Sequence, residues 1–224
     1  MTTTCKLCDR EFNYTPLPGF PGIIPRVCSQ CGESDLVKAA KARGEAAVLE
    51  KEATWSALCP AAYRTVSEGG ITEIPKIPKV EWPEVERERP GLLMAGPSGR
   101  GKTRWAWRAL RQDFDLGKTI LAFTPRGFEA SYRDADGQHK LKAFLDECST
   151  VGVFFLDDLG KASWSPNTLE TFYEIVERRS SNLFPIYATT NFTGNALGAQ
   201  LRMDEAILEP LLRRLRENCR CVSV

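Results

Sequence analysis

Residues 96 to 103 read GPSGRGKT and match the pattern GxxxxGK[ST] in full. The chemistry that this spacing serves is phosphate binding. Gly96, Gly99 and Gly101 let backbone amides turn inward around phosphate oxygens, with Pro97, Ser98 and Arg100 completing the loop. Lys102 is placed to reach the β- and γ-phosphates of ATP, and the Thr103 hydroxyl to ligate Mg²⁺. An apolar run, LLMA, precedes the loop and a helix-forming run starts near Lys102; a fortuitous glycine-rich turn lacks that context.

A second apolar run, VGVFFL at 151 to 156, ends in Asp157 and Asp158 and looks like a Walker B motif. A carboxylate at the C-terminal end of a buried parallel strand lies on the edge where such sheets bind ligands. Asp157 is therefore expected to hold Mg²⁺ opposite Thr103, and Asp158 to polarise the attacking water. The plainer alternative is two acids opening a solvated loop.

Four of the cysteines form two CxxC pairs, Cys5 with Cys8 and Cys28 with Cys31, separated by residues 9 to 27. Two such knuckles present four thiolates to one ion, which fits a closed, structural, tetrahedral Zn²⁺ site. A redox dithiol needs only one pair, and no thioredoxin-like unit surrounds these. Cys59, Cys148, Cys219 and Cys221 read as core or surface thiols.

The elements that must position these groups follow from composition and pattern. Residues 1–35 are rich in Cys, Pro and Gly without helical periodicity, as expected of a module organised by a metal. From Asp35 to about Leu58 good helix formers predominate, with Ser34 or Asp35 placed as the cap. Prolines at 60, 75, 78, 83 and 90 forbid long regular structure in the stretch that follows, so residues 36–89 read as a helix and a Pro-rich connector. Beyond it, GLLMAG, TILAFT, VGVFFLD, PIYATTN and CRCVSV alternate with amphipathic runs. That alternation predicts an α/β domain over 90–224 with a parallel sheet flanked by helices. Trp105 and Trp107, just after the phosphate loop, read as helix-packing residues rather than base-stacking ones.

Basic residues number 30 against 29 acidic, so no broad positive field advertises nucleic acid or an anionic membrane, and any DNA contact must come from a local patch. No run approaches the roughly 18 to 20 apolar residues of a membrane span, and MTTTCKLCDR lacks the core of a signal peptide. The cytoplasm is the expected compartment. His139 is the single histidine, which disfavours histidine-based triads.

Together, GPSGRGKT, VGVFFLDDLG, LETFYEIVERRS, PIYATTN and PLLRRLREN resemble the AAA+ ATPases of the DnaC, DnaI and IstB group, over roughly residues 59 to 224. The fold implied is a P-loop NTPase of the AAA+ type, here joined to a small N-terminal zinc-binding module. Within the likeness Asn191 takes the place of sensor 1, which positions water near the γ-phosphate, although an Asn closing a strand is also ordinary turn chemistry. The arginine finger, which completes a neighbouring subunit's site, falls on Arg214, with Arg213 the fallback; a plain C-terminal helix decoration is the alternative. Arg178 and Arg179 lie before the sensor strand, at a paired position that the resemblance makes basic; a face toward a neighbouring subunit or DNA is one reading, and the expected one is a solvated face at a helix end.

Two departures bear on activity. Asp158 stands where many relatives carry Glu, which implies slow turnover. The chain ends after what reads as the last core strand, which leaves no room for a helical lid. The resemblance implies an ATP hydrolase that acts in DNA replication as a helicase loader, forms an ATP-dependent homo-oligomer, and contacts single-stranded DNA and a replicative helicase. Its rivals are an IstB-like helper with a transposase partner and a nucleotide-gated adaptor with little turnover. The zinc module binds either protein or DNA; Lys6, Arg10 and Arg26 are too sparse to decide.

Overall fold

The computed structural model describes residues 1–16, 18–19, 22–64 and 89–224, and it separates into two compact units, Met1–Ala57 and Leu58–Val224. Pro75, Pro78 and Pro83 of the expected connector lie outside the described residues.

In the first unit, β1 (Thr2–Thr4) and β2 (Glu11–Asn13) pair antiparallel, and the first CxxC knuckle is the turn between them. Asp9 takes a left-handed conformation (φ 55°) to close that turn, and its N–H donates to Cys5 O. Helix α1 runs Ser29–Leu58, beginning six residues before the cap expected at Asp35. The Gly32 N–H donates to Cys28 O at 2.9 Å, so the second knuckle is itself the first helical turn. The second knuckle, and not the expected Ser34 or Asp35, stands at the start of this helix.

The second unit opens with a short helix, α2 (Ala61–Arg64). Five parallel strands follow: β3 (Gly91–Ala95), β4 (Ile120–Phe123), β5 (Val153–Leu159), β6 (Ile186–Thr190) and β7 (Cys219–Ser223), side by side in the order β4-β5-β6-β3-β7. All five apolar runs read as strands are strands. Burial from both sides explains why Val153 to Leu156 is uninterrupted by polar residues.

Helices α3 (Lys102–Asp115), α4 (Pro125–Gly137), α5 (Leu141–Thr150), α6 (Pro166–Ser181), α7 (Asn195–Leu201) and α8 (Glu205–Asn218) make the crossovers. The Thr124 hydroxyl caps α4 by accepting from Gly127 N–H, and the Ser165 hydroxyl caps α6 by accepting from Thr168 N–H; a proline occupies the first turn in each. The core centres on Phe128, Phe154, Phe172, Ile175, Ile186 and Leu215, and Trp105 and Trp107 are buried as expected.

One expectation about charge is overturned. Arg179 is fully buried, with Nη1 donating to Cys148 O at 2.9 Å and Nη2 to Pro185 O at 2.7 Å. Burial lowers its pKa to about 10. Only Arg178 reaches solvent, paired with Asp146 and Glu174.

Candidate nucleotide site and cysteine cluster

Strand β3 delivers the loop 96–101, whose crest at Pro97 to Arg100 is exposed, and Gly101 turns it into α3. Gly101 holds a left-handed conformation (φ 81°) at the helix N-cap, which favours a residue without Cβ. At Gly96 a Cβ would lie 2.0 Å from Val224 O, so the loop and the residue that follows β7 can approach only because that position is glycine. The N-terminus of α3 thus faces the loop's concavity with its unpaired amides and positive dipole end.

Lys102 is 5% exposed, and its Nζ donates to Gly96 O, Pro97 O and Asn191 Oδ1, each at 2.8 Å. All three acceptors are uncharged. Burial lowers the lysine's pKa, against the opposing pull of Asp158 and Asp157.

The Thr103 hydroxyl donates to Asp157 Oδ1 at 2.8 Å, and Thr189 Oγ1 donates to the same oxygen at 2.6 Å. Burial pushes the Asp157 carboxyl above its ordinary range, while the two hydroxyls hold it down. A hydroxyl beside a half-buried carboxylate is the oxygen-only donor set that a small hard cation takes, so Thr103 and Asp157 fit Mg²⁺.

Asp158 has φ 61°, a left-handed conformation unusual for aspartate, at an irregularity in the β5–β6 pairing between Leu156 and Leu159. The bulge turns Asp158 out of the alternation of the strand. Its Oδ2 accepts from Lys161 Nζ at 2.7 Å. Its N–H donates to Thr189 Oγ1 at 2.8 Å, so Thr189 braces both acids. Sequence reading missed Thr189; the paired threonines of PIYATT at the strand end were the available signal. It missed Tyr63 and Lys161 as well, which line the open cavity of about 420 Å³ in front of Lys102, Thr103, Asp158 and Asn191.

The structure therefore brings together Lys102, Thr103, Asp157, Asp158 and Asn191. Arg214 is not among them: it lies on α8, ion-paired with Glu177 of α6 and set over the Tyr173 ring. Arg213 is exposed beside Glu217.

In the first unit the sulfurs of Cys5, Cys8, Cys28 and Cys31 all lie within 4.8 Å of one another. A tetrahedral Zn²⁺ with Zn–S of about 2.3 Å sets its sulfurs about 3.8 Å apart, and Cys8 Sγ lies 3.9 Å from Cys28 Sγ. The Cys28 N–H donates to Cys5 Sγ at 3.3 Å and is the main cause that lowers the Cys5 thiol to about 6. Hydrogen bonds with Cys8 and Cys28 push Cys31 up to about 12. Four crowded thiols fit a cation that removes their protons together.

Strand order, the phosphate loop after β3 and the acids ending β5 give the chain the P-loop fold of the AAA+ type. No family model matches the chain. Over 97 residues it is 33% identical to a protein described as the ATP-binding protein of insertion sequence IS1162 of Pseudomonas fluorescens, a match covering 43% of this chain and 42% of that protein. Its fold is similar to that of the DnaC helicase loader (TM-score 0.53, 23% identity, 61% of this chain and 79% of that one). It is also similar to AMPPCP-bound DnaA from Aquifex aeolicus (TM-score 0.51, 16% identity, 62% and 41%). The chain thus spans less than half the length of that curated relative and of DnaA. The resemblance to AAA+ proteins of the DnaC and IstB kind holds.

Proposed function

We propose that this chain binds Mg²⁺ and ATP in the cavity before the 96–103 loop, hydrolyses the nucleotide slowly, and acts in DNA replication as a helicase loader. The observation that carries the nucleotide reading is the buried Lys102 ammonium, held at the cavity wall by neutral acceptors only. The counter-charge this arrangement suits is an arriving phosphate. Amides of the 96–101 loop cradle the phosphates, Lys102 contacts them, Asp158 orients the attacking water and Asn191 fixes the geometry near the γ-phosphate. Magnesium held by Thr103 and Asp157 would neutralise charge on the β- and γ-oxygens.

Assembly through Arg214 belongs to this reading, as do contacts with single-stranded DNA, a cytoplasmic location, and the division into a zinc module (1–35), connector (36–89) and ATPase domain (90–224). Among the described residues no helix is long and apolar enough to cross a membrane. The name of the insertion-sequence relative favours a second reading, a transposition helper. Affinity capture with the ATP-locked Asp158→Asn chain separates them. A hexameric helicase in the eluate supports the loader, a transposase supports the helper, and capture that does not depend on ATP contradicts both.

A further inference from the structure

The cavity before the phosphate loop has a wall that neither motif supplies. Tyr63 of α2 lines it together with Ser98, Lys102, Thr103, Asp158 and Asn191. Those neighbours mark the end where the γ-phosphate sits. The Tyr63 ring stacks on Trp107, with centroids 6.4 Å apart and planes 13° apart, and Trp107 in turn meets Phe155 of β5 edge-on at 5.5 Å. The ring is thus set, through Trp107, against the core of the sheet.

We propose that Tyr63 is a further catalytic residue of this site, its hydroxyl donating a hydrogen bond to the γ-phosphoryl group during hydrolysis. The proposal rests on the ATPase reading above. In that reaction a water oxygen bonds to the γ-phosphorus, the bond to the β–γ bridging oxygen breaks, and ADP leaves with that oxygen. The proton released by the water passes by way of Asp158 to phosphate. Tyr63 keeps its own proton throughout and acts only as a donor, at a point where negative charge shifts among the phosphoryl oxygens. Burial, then the charges of Asp157 and Asp158, push its phenol above the ordinary value, so the hydroxyl stays protonated at working pH. A donor already held in place costs no reorganisation when the transition state forms.

The test uses the whole chain, with Mg²⁺ and ATP affinity from calorimetry and kcat from phosphate release. Tyr63→Phe keeps the ring and its stack on Trp107 and removes only the donor. The expected result is a fall in kcat on the order of 10- to 100-fold with the dissociation constant for ATP unchanged within twofold. A purely packing role predicts wild-type kcat for Tyr63→Phe, and that result overturns the proposal. Equal losses in affinity and kcat overturn it as well, because they assign the hydroxyl to ground-state binding. A wild-type chain that binds no ATP sinks the nucleotide reading and this proposal together; wild-type turnover with an undiminished Tyr63→Phe sinks only the role of Tyr63.

Discussion

Lys102 Nζ lies 2.8 Å from Asn191 Oδ1, a bond that ties the helix after the phosphate loop to the end of β6, 89 positions away in the chain. On the proposed nucleotide reading, a phosphate that displaces the lysine from its neutral acceptors breaks this bond to Asn191. If the side chain serves geometry near the γ-phosphate, as proposed, Asn191→Ala leaves ATP affinity within severalfold of wild type and lowers turnover on the order of tenfold. Paired calorimetry and phosphate-release assays check this. An affinity loss as large as the turnover loss assigns Asn191 to substrate binding instead.

Asp157 predicts a trade between stability and function. Its folded pKa is raised, chiefly by burial, so the folded chain holds a proton there more tightly than the unfolded chain. That stabilisation is present in acid and is lost as pH rises through the raised value; at neutral pH the half-buried carboxylate is a cost. Asn at this position still accepts from Thr103 and Thr189 without carrying charge. Without nucleotide, Asp157→Asn should raise Tm by about 2–4 °C, the equivalent of about 1 kcal/mol, and the gain should shrink on acidification. It should also abolish the Mg²⁺-dependent rise in Tm that ATP binding is expected to give the wild type. A nucleotide-free variant that melts lower at neutral pH contradicts the assignment.

Much of this site was legible in the sequence because parallel strands buried on both faces announce themselves as uninterrupted apolar runs, and chemistry collects where they end. VGVFFL followed by Asp157 and Asp158 is the clearest case. Helix α4 escaped notice because only Pro125, Phe128 and Tyr132 of its residues are buried, too sparse a stripe among polar neighbours. Thr189 and Tyr63 escaped for another reason: each is placed against a neighbour far off in the chain, Asp157 and Trp107, and no local spacing records such a contact. Arg179 was misread because two arginines closing a helix ordinarily face water, whereas here one turns inward onto backbone carbonyls.

The cysteine cluster predicts about one Zn²⁺ per chain, because four sulfurs within 4.8 Å suit one tetrahedral ion. Cys8→Ser should lose most of the metal, and with it the start of α1, where Cys31 sits in the first turn. Elemental analysis of protein purified without chelator or added metal decides it. A metal-free wild-type protein with an intact first unit removes the zinc assignment.

Arg214 is held by Glu177 and Tyr173 of its own chain, so a role in a neighbour's site requires that pair to open or to present the guanidinium at the surface. If the finger assignment holds, activity per chain rises with protein concentration. An Arg214→Ala chain with an intact phosphate site should then regain turnover when mixed with a Lys102→Ala chain that supplies Arg214. A stably assembled mixture that stays inactive, or full activity of Arg214→Ala alone, leaves Arg214 with a purely structural ion pair.

Calorimetric titration of Mg²⁺ and ATP into the wild type, Lys102→Ala and Asp158→Asn chains reads the phosphate site most directly. One nucleotide per wild-type chain is expected, with binding abolished by Lys102→Ala and retained by Asp158→Asn, because of these two side chains the lysine contacts the bound phosphates and the aspartate serves the attacking water. Equal affinity in all three chains, or no binding by the wild type, would contradict an ATP site at Gly96 to Thr103.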